Sequence, residues 1–353
     1  MSELVRAALA AVVEGKTLAM AEARGAMGSV MDGEATQAQL AALLVALRMR
    51  GETVEELAGF AAAMRERSLK VQAPDGAIDT CGTGGDGSGT FNVSTAAAFV
   101  VASTGVPVAK HGNRAMTSAC GSADVLEALG VATDLSPEEA GEALRTDNYA
   151  FLFAQAYHPA MKHAGPTRRE IGVRTAFNLI GPLTNPAGAK RQVVGVGAAA
   201  AAPKMAEVLR LLGAERALVV HGAGLDELPL DGSGVVYDVT PGGVRRYEVV
   251  AEELGLAAAP TSALAGGTAA ENAAALEAIL GGAVGPGRDV VLLNAAAAFV
   301  AAGRAVDLRS GIALAAAAID EGRPTALLAR LRVAKLARDE ARAKATSAVG
   351  APA

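Results

Sequence analysis

A glycine-rich stretch over residues 82–95, G-T-G-G-D-G-S-G-T-F-N-V-S-T, carries residue types that bind phosphate. Its five glycines permit positive φ angles and let the backbone approach a large polar group closely. Ser94 and Thr95 are favourable helix N-caps, and a helical apolar run from Ala96 to Thr104 follows them. Helix N-termini favour anions because their first backbone N–H groups have no partner within the helix. The stretch therefore predicts a phosphate-binding loop that leads into a helix.

Other kinds of glycine-rich loop fit the stretch less well. A Walker A loop requires a Lys, and residues 82–95 contain none. Gly82, Gly84 and Gly87 satisfy the dinucleotide pattern G-x-G-x-x-G, which also requires an acidic residue about 20 positions later. The next predicted strand ends instead in Lys110 and His111, which are basic and suited to phosphate. A dinucleotide site is therefore disfavoured, and so is a surface linker, because the loop lies between an apolar strand and an apolar helix.

A second polar loop, K-H-G-N-R-A-M-T-S-A-C-G-S-A-D, occupies residues 110–124. It combines two cations, an imidazole, an amide and three hydroxyl groups between glycines. Cationic and hydroxyl side chains of this kind form charge-assisted hydrogen bonds with phosphate oxygens. This loop predicts a pocket for an anion or a sugar phosphate beside the first loop.

Two adjacent carboxylates, Asp226 and Glu227, end the loop H-G-A-G-L-D-E, which follows an apolar strand. Mg²⁺ typically binds one or two carboxylates together with substrate phosphates and water. The chain contains no G-x-S-x-G or H-E-x-x-H pattern, and Cys81 and Cys120 lack the spacing of a zinc site. The sequence thus predicts displacement on a phosphorylated substrate, without a covalent nucleophile, in which positioning and charge neutralisation supply catalysis.

Two further clusters leave alternatives open. His158 and His163 either line a site or are ordinary core and surface residues. Arg168 and Arg169 form either a pair on a helix face or a fork for a carboxylate, and their spacing does not decide between these roles. The segment V-R-T-A-F-N-L-I-G-P-L-T-N-P at residues 173–186 cannot form one unbroken helix and predicts a hinge or an interdomain crossing.

The elements that position these residues fall into two groups. Residues 1–70 predict helices over Leu4–Val13 and Leu18–Met31, followed by two that begin at the capping boxes of Thr36 and Thr53. Their apolar faces exceed what four helices cover, so part of this surface meets the rest of the chain or another subunit. After residue 77, short apolar runs alternate with helical ones, which is typical of a parallel sheet covered by helices. The strands predicted are Ala77–Thr80, Val106–Ala109, Gln192–Gly197, Ala217–His221, Val290–Leu293, and an antiparallel pair, Val235–Val239 and Val244–Val249.

The predicted fold class is α/β, with a small N-terminal helical domain and a larger domain that contains a mostly parallel central sheet covered by helices. The helical domain comprises residues 1–72. The α/β domain extends from residue 75 to residue 344, with helices that include one capped by Ser136, Ala313–Glu321 and Pro324–Lys344. Residues 345–353 are predicted to form a flexible tail.

Composition limits the possible partners. With 353 residues and 51% hydrophobic content, the chain can bury a large core. The net charge of −5, the calculated pI near 5.6 and the 3% aromatic content argue against nucleic acid and anionic membranes as partners. The first residues do not resemble a signal peptide, and no apolar run reaches the ~18 residues of a membrane span. These features, with only two cysteines, predict a cytoplasmic protein.

Six motifs in order resemble the anthranilate phosphoribosyltransferase family, which joins anthranilate to phosphoribosyl pyrophosphate (PRPP) in tryptophan biosynthesis. The resemblance covers roughly residues 4–340. The motifs are G-T-G-G-D from Gly82, N-V-S-T from Asn92, K-H-G-N-R from Lys110, G-S-A-D-V-L-E-A-L-G from Gly121, R-T-A-F-N-L-I-G-P-L-T-N-P from Arg174 and G-L-D-E from Gly224.

The resemblance implies a homodimer formed through the helical domain, with the site between the two domains. It also implies that a segment at about 167–190 joins the helical domain, which divides the α/β domain into residues 75–166 and 191–344. Two Mg²⁺ ions per subunit would involve Ser94, Asp226 and Glu227. Anthranilate would meet Gly82, Asn113 and Arg168, with His111 and His158 near its path. The anthranilate amine would attack the ribose C1 while Mg²⁺ neutralises the departing pyrophosphate. The residues implied for PRPP are Gly82, Gly85, Asp86, Thr90, Asn92, Val93, Ser94, Thr95, Lys110, His111, Gly112, Asn113, Arg114, Ala115, Met116, Thr117, Ser118 and Ser122.

The sequence departs from the family pattern in three places. Ala119 replaces a frequent basic residue, Gln155 replaces a common Pro, and the loop from His221 to Glu227 is one residue shorter than usual. Pyrimidine nucleoside phosphorylases share the architecture, but their K-H-S-T-G-G segment is replaced here by D-T-C-G-T-G-G. A non-enzymatic, nucleic-acid-binding relative is the other alternative, and the acidic pI and the Asp226-Glu227 pair weigh against it.

Overall fold

The computed structural model describes residues 1–115 and 119–349, with side chains described as far as Ala345. Four helices form the N-terminal layer: α1 (Glu3–Val13), α2 (Met20–Met31), α3 (Gln37–Arg50) and α4 (Val54–Glu66). Thr36 and Thr53 each accept the N–H of the residue three positions later, and Gln39 and Glu56 return the bond to the cap backbone. Both predicted capping boxes are therefore confirmed.

A seven-stranded sheet forms the second part of the molecule, with the order β3-β2-β1-β4-β5-β6-β7. The first five strands in this order are parallel, and β6 and β7 are antiparallel additions at one edge. This confirms the predicted α/β class with a mostly parallel sheet. The strands are β1 (Ile78–Gly82), β2 (Val108–Gly112), β3 (Tyr149–Phe153), β4 (Arg191–Gly195), β5 (Arg216–Gly222), β6 (Ser233–Thr240) and β7 (Gly243–Val250).

Helices cover both faces of the sheet. One face packs on α5 (Val93–Ala102) and α13 (Pro286–Ala301), with α14 (Leu308–Asp320) behind them. The other face packs on α11 (Ala202–Leu211) and shares a hydrophobic core with α1 to α4, so part of their apolar surface meets the rest of the chain. The remaining helices are α6 (Ser122–Ala128), α7 (Pro137–Thr146), α8 (Ala154–Tyr157), α9 (Gly165–Ile171), α10 (Ala176–Ile180), α12 (Ala269–Leu280) and α15 (Arg323–Val349).

The segment from α9 through α10 packs against the N-terminal layer. Helix α9 contacts α3, and α10 contacts both α3 and α4. Arg65 donates from Nε to the carbonyl of Leu183 at 2.6 Å, and the N–H of Leu69 donates to the carbonyl of Tyr157 at 2.9 Å. Chain from the middle of the sequence therefore forms part of the helical layer before it returns to the sheet at β4.

The structure differs from the sequence-based assignment of elements in three places. Val290–Leu293 is not a strand, because it lies within α13, and residues 290–301 of this helix are all buried. A helix surrounded by protein has no polar face, so its apolar run resembles a buried strand. Strand β3 was missed. Helix α5 begins at Val93 after the N-cap Asn92, so Ser94 and Thr95 lie in its first turn and are not its caps.

The last helix also runs further than expected. Helix α15 continues to Val349, whereas the predicted helix ends at Lys344 and the predicted tail begins at residue 345. The sequence A-T-S-A-V at residues 345–349 contains neither Gly nor Pro, so nothing there breaks the helix. Within the part of the chain that the structure describes, no helix has both the length and the apolar character needed to cross a membrane.

Candidate active site

The candidate site lies at the carboxyl edge of the parallel strands, where the strand order changes direction between β1 and β4. Open parallel sheets bind ligands in the crevice at such a switch point. Gly82 ends β1 and Gly195 ends β4, and these two residues are register partners. A Cβ at Gly195 would overlap the backbone carbonyl of Asp226, so glycine lets the loop after β5 pass directly over the end of β4.

The glycine-rich loop turns across this crevice. Gly84 and Gly85 have φ angles of 60° and 65°, in the left-handed region that favours glycine. The N–H of Gly84 donates to Oδ2 of Asp226 at 2.9 Å. The loop then reaches α5, where the N–H of Ser94 donates to Oε1 of Glu227 at 3.1 Å. The two carboxylates thus anchor both ends of the loop, across 142 and 133 residues of sequence.

Three carboxyl groups converge beside the loop. Oδ2 of Asp86 accepts the backbone N–H of Asp226 at 3.4 Å. Burial, followed by repulsion from Asp86, raises the pKa of Asp226 to about 6. Burial, followed by repulsion from Asp226, raises the pKa of Glu227 to about 8. Without a cation beside them, the carboxyl groups therefore resist full ionisation, and Glu227 keeps its proton at neutral pH.

This donor set fits a magnesium ion that also binds substrate. Across residues 1–115 and 119–349, no group of three or more His, Cys, Asp or Glu is arranged to hold a metal by itself. Mg²⁺ does not need such a cage, because it commonly uses one or two carboxylates and completes its shell with phosphate oxygens and water. The raised pKa values of Asp226 and Glu227 mark a place where a divalent cation would relieve repulsion.

Lys110 is the cation buried behind this site, with 2% of its surface exposed. Its Nζ donates to the carbonyl of Thr80 and to Oγ of Ser94, the latter at 3.2 Å. Burial lowers the pKa of Lys110, while Asp79 opposes that shift. The side chain therefore joins β2 to the start of α5 and places a cationic group close to the backbone N–H groups there.

His111 and His158 form a buried pair with ring centroids 5.2 Å apart. Burial and then repulsion between the two rings lower the pKa of His111 to about 3. Burial lowers the pKa of His158 to about 4. The Nε2 atom of each ring is buried and finds no hydrogen-bond partner among the described residues. Both imidazoles are neutral at pH 7.

The second loop contacts the first through Asn92, whose Nδ2 donates to the carbonyl of Cys120 at 3.3 Å. Asn113 accepts the hydroxyl of Ser122 at its backbone carbonyl, at 3.2 Å. A Cβ at Gly112 would meet the Ser122 hydroxyl and the Phe151 ring, so this position needs glycine. The two loops therefore lie side by side at the ends of β1 and β2.

Some residues implied for PRPP hold the loops together. Arg114 is exposed and forms salt bridges with Asp124, at 3.0 Å, and with Glu127, so its charge is directed toward α6. The N–H of Ala115 also donates to Asp124, at 3.0 Å. The other loop residues are Thr90, which forms a bridge with Ala265, and the buried Val93 and Thr95. Met116, Thr117 and Ser118 lie outside the described residues.

The arginines of α9 differ in their surroundings. Arg168 is half-buried, with its guanidinium 4.9 Å from the centre of the Phe177 ring, and burial lowers its pKa. Arg169 is exposed. His163 is exposed beside Gly33, away from the histidine pair. The structure thus distinguishes side chains that sequence spacing left equivalent.

Two residues of the site received no role from the sequence. Asp79 is fully buried and accepts hydrogen bonds from Nδ2 of Asn185 at 2.7 Å and from the N–H of His111 at 3.1 Å. Arg174 donates to the carbonyls of Gly84 and Gly85. Arg174 opens one of the six motifs, and Asp79 lies in the apolar run before the glycine loop. Their places in that motif and in that apolar run are the sequence signals for Arg174 and Asp79.

Two family models match the chain in succession. The helical bundle domain of the glycosyl transferase family matches residues 6–68, and the a/b domain of that family matches residues 74–325. The chain therefore belongs to a glycosyl transferase family whose members have a helical bundle domain followed by an a/b domain.

Individual relatives identify the particular glycosyl transferase family more closely. The anthranilate phosphoribosyltransferase of Chloroflexus aggregans is 54% identical over 319 residues, covering 90% of this chain and 94% of the relative. The crystal structure of the Thermus thermophilus enzyme is 48% identical with a TM-score of 0.88, covering 93% of this chain and 99% of the other. The chain belongs to the anthranilate phosphoribosyltransferase family.

Structures of the more distant Saccharomyces cerevisiae enzyme share the fold with ligands present. The complex of that enzyme with PRPP and Mg is 26% identical with a TM-score of 0.87, covering 96% of this chain and 99% of the other. Its complex with 4-fluoroanthranilate is 25% identical with a TM-score of 0.84, covering 96% of this chain and 100% of the other.

Proposed function

We propose that this protein transfers the phosphoribosyl group of PRPP to the amine of anthranilate, giving N-(5-phosphoribosyl)anthranilate and pyrophosphate in tryptophan biosynthesis. The observation that carries the proposal is the meeting of the glycine loop, the start of α5 and the Asp226-Glu227 pair at the sheet's switch point. Family membership and the yeast complexes with PRPP, Mg and 4-fluoroanthranilate support it.

The two polar loops would bind PRPP. Backbone N–H groups of the glycine loop and of α5 would face its phosphates, with Lys110 supplying positive charge from behind. Two Mg²⁺ ions per subunit would be held with the participation of Ser94, Asp226 and Glu227, and their chemistry would be neutralisation of the departing pyrophosphate. Because PRPP already carries a good leaving group, the protein's own task is to hold C1 and the amine in line.

Anthranilate would lie between Arg168, Asn113 and the histidine pair. Arg168 is a suitable partner for a carboxylate, because a guanidinium binds both carboxylate oxygens in one plane. The attacking amine must keep its lone pair free of a proton. Neutral imidazoles at His111 and His158 add no charge to this region, so they leave the amine's basicity unchanged.

The assembly and location of the protein form part of the same proposal. Leu4 and Val13 on α1, and Val45 and Met49 on α3, are exposed apolar side chains on adjacent helices. Exposed apolar patches commonly mark interfaces, and these residues support a homodimer formed through the helical layer. Cys81 and Cys120 are both buried free thiols, which supports a reducing, cytoplasmic location.

The deciding experiment follows the loss of anthranilate fluorescence with PRPP, in the presence and absence of Mg²⁺. The proposal predicts signal loss only when PRPP and Mg²⁺ are both present, with pyrophosphate released in equal amount. Phosphorolysis of thymidine or uridine without this activity would instead identify a pyrimidine nucleoside phosphorylase.

Arg168→Ala is expected to raise the KM for anthranilate by about tenfold to a hundredfold, because it removes a charge-assisted contact with the carboxylate. The KM for PRPP should change by less. Arg169→Ala is the matched control, since Arg169 is exposed on the same helix and should leave both constants near their wild-type values. A larger effect on PRPP than on anthranilate would move the anthranilate site elsewhere.

A further inference from the structure

We propose that Arg174 is a positioning residue that couples the two substrate subsites, by fixing the glycine loop from the segment that carries Arg168. This inference rests on the proposed function for what the subsites bind. It does not rest on that function for the contact between Arg174 and the loop, which can be measured without substrate.

The contact is bidentate. Nη1 of Arg174 donates to the carbonyl of Gly85 at 3.1 Å, and Nη2 donates to the carbonyl of Gly84 at 3.2 Å. Both carbonyls belong to consecutive residues with positive φ angles. A planar guanidinium can hold two neighbouring oxygens at once, whereas an ammonium acts as a single point charge. Arg174 thus fixes a backbone conformation that glycine would otherwise be free to leave.

Gly84 is held from both sides. Its carbonyl accepts from Arg174, while its N–H donates to Oδ2 of Asp226 at 2.9 Å. Gly84 therefore lies between Arg174, on the connection from α9 to α10, and a carboxylate that is proposed to bind metal. Arg174 forms no salt bridge with any residue in the described ranges, so no other charged partner competes with the two loop carbonyls.

The other end of the link is the proposed anthranilate contact. Helix α9, which carries Arg168, ends at Gly172 with a left-handed φ of 68°, two residues before Arg174. Thr175 then caps α10, and Phe177 on that helix lies 4.9 Å from the Arg168 guanidinium. Arg174 therefore lies between two short helices, α9 and α10, that are held together by the contact of Arg168 with Phe177. A displacement of α9 or α10 would move Arg174 as well, and with it the carbonyls of Gly84 and Gly85.

This geometry has a consequence for the binding of the two substrates. PRPP orders the glycine loop, and the loop, through Arg174, holds α9 and α10 in the position that presents Arg168 to anthranilate. Binding of PRPP should then tighten anthranilate binding, and by linkage anthranilate should tighten PRPP binding by the same factor. Removal of Arg174 should abolish most of this mutual effect while the reacting groups stay in place.

The experiment compares wild type with Arg174→Ala and Arg174→Lys. Arg304→Ala is the control, because Arg304 is an exposed arginine on the turn after α13, and its side chain has no hydrogen bond or salt bridge within residues 1–115 and 119–345. Arg174 is itself exposed, so its replacement should leave the fold intact, which circular dichroism and thermal melting will verify. Hydrogen exchange of peptides covering residues 82–90 is measured without substrates, and the two KM values are measured with Mg²⁺.

Loss of the two charge-assisted hydrogen bonds should speed exchange at Gly84 and raise the KM for PRPP, each by about tenfold in Arg174→Ala. The anthranilate KM should lose its dependence on PRPP concentration, and kcat at saturation should fall much less. Arg174→Lys should recover only a small part of each effect. Wild-type exchange and KM values in Arg174→Ala, or full rescue by Lys, would overturn the proposal. Faster exchange in a protein that uses neither substrate would overturn the proposed function but support the positioning role.

Discussion

The combined substitution of Asp226→Asn and Glu227→Gln is expected to lower turnover by about a thousandfold or more, because it removes the charge that would hold Mg²⁺ against the departing pyrophosphate. The amides keep the size of the carboxyl groups and an oxygen that can accept the N–H groups of Gly84 and Ser94. The loop should therefore keep its course while its affinity for the metal is lost.

The same variant should be at least as stable as the wild type. Burial, and then repulsion between the carboxyl groups, raises the pKa of both Asp226 and Glu227, so at neutral and alkaline pH the folded state must either bind protons there or bury charge, and folding is opposed. Neutral amides remove that repulsion. Turnover of anthranilate with PRPP is to be measured over a range of Mg²⁺ concentrations, beside thermal melting without metal.

Asp231→Asn is the matched control, because Asp231 is an exposed carboxylate a few residues further along the same connection. It should leave both turnover and its dependence on Mg²⁺ unchanged. Unaltered turnover in the double variant would remove the metal role from this pair. A variant that loses both activity and its folded structure would instead show that the carboxylates act mainly as anchors for the loop.

The part of the site that could be predicted from the sequence follows strand ends. Gly82, Lys110 and Asp226 each lie at or just after an apolar run, and the carboxyl ends of parallel strands share one edge of the sheet. Once those runs are parallel in one sheet, the three residues lie along the same edge. In the observed order β2 is next to β1, and only β4 separates β1 from β5, so short motifs were enough to predict a phosphate site and the family.

What the sequence could not supply depends on contacts between distant residues. Arg174 meets Gly85 across 89 positions, and Asn185 meets Asp79 across 106, so neither contact leaves a periodic pattern. Ser94 was assigned as a helix cap because hydroxyls commonly cap helices, but its own N–H is bound by Glu227, 133 residues later. The partner of Ser94 is thus a residue distant in sequence, and not the neighbouring helix backbone that the sequence suggested.

Burial created the other errors. The strand predicted at 290–293 belongs to α13, which is enclosed on every side, and enclosure erases the polar face that identifies a helix. Strand β3 ends the sheet order but still has four of its five residues buried, so it lacks the alternation of a half-exposed strand. Burial of the same kind lowers the pKa values of His111 and His158.

These two histidines are expected to make the protein acid-labile. Burial lowers the pKa of His111 to about 3 and of His158 to about 4, against 6.5 in an unfolded chain. At pH 5 the unfolded state therefore binds a proton at each histidine that the folded state does not bind. Folding stability contributed by the neutral rings is fully present above pH 6.5 and is lost as the pH falls toward 4 and 3.

The loss should reach about 2 kcal/mol per histidine at pH 5, or about 4 kcal/mol for the pair. Urea unfolding at pH 7.5 and pH 5 is to be compared between the wild type and the double variant His111→Gln with His158→Gln. The variant is expected to be less stable at pH 7.5, since glutamine fits the two buried positions less well. Its decline between the two pH values should nevertheless be smaller by about 4 kcal/mol.

His163→Gln separates this effect from the acid sensitivity that all carboxylates contribute, because His163 is an exposed histidine outside the pair. It should decline with pH as the wild type does. Protonation of His111 would also place a second cation near Lys110 in the interior, which is a further reason for stability to fall at low pH. An equal decline in the wild type and the double variant would show that the buried pair accepts protons without opening, and would remove the histidines as the origin of acid lability.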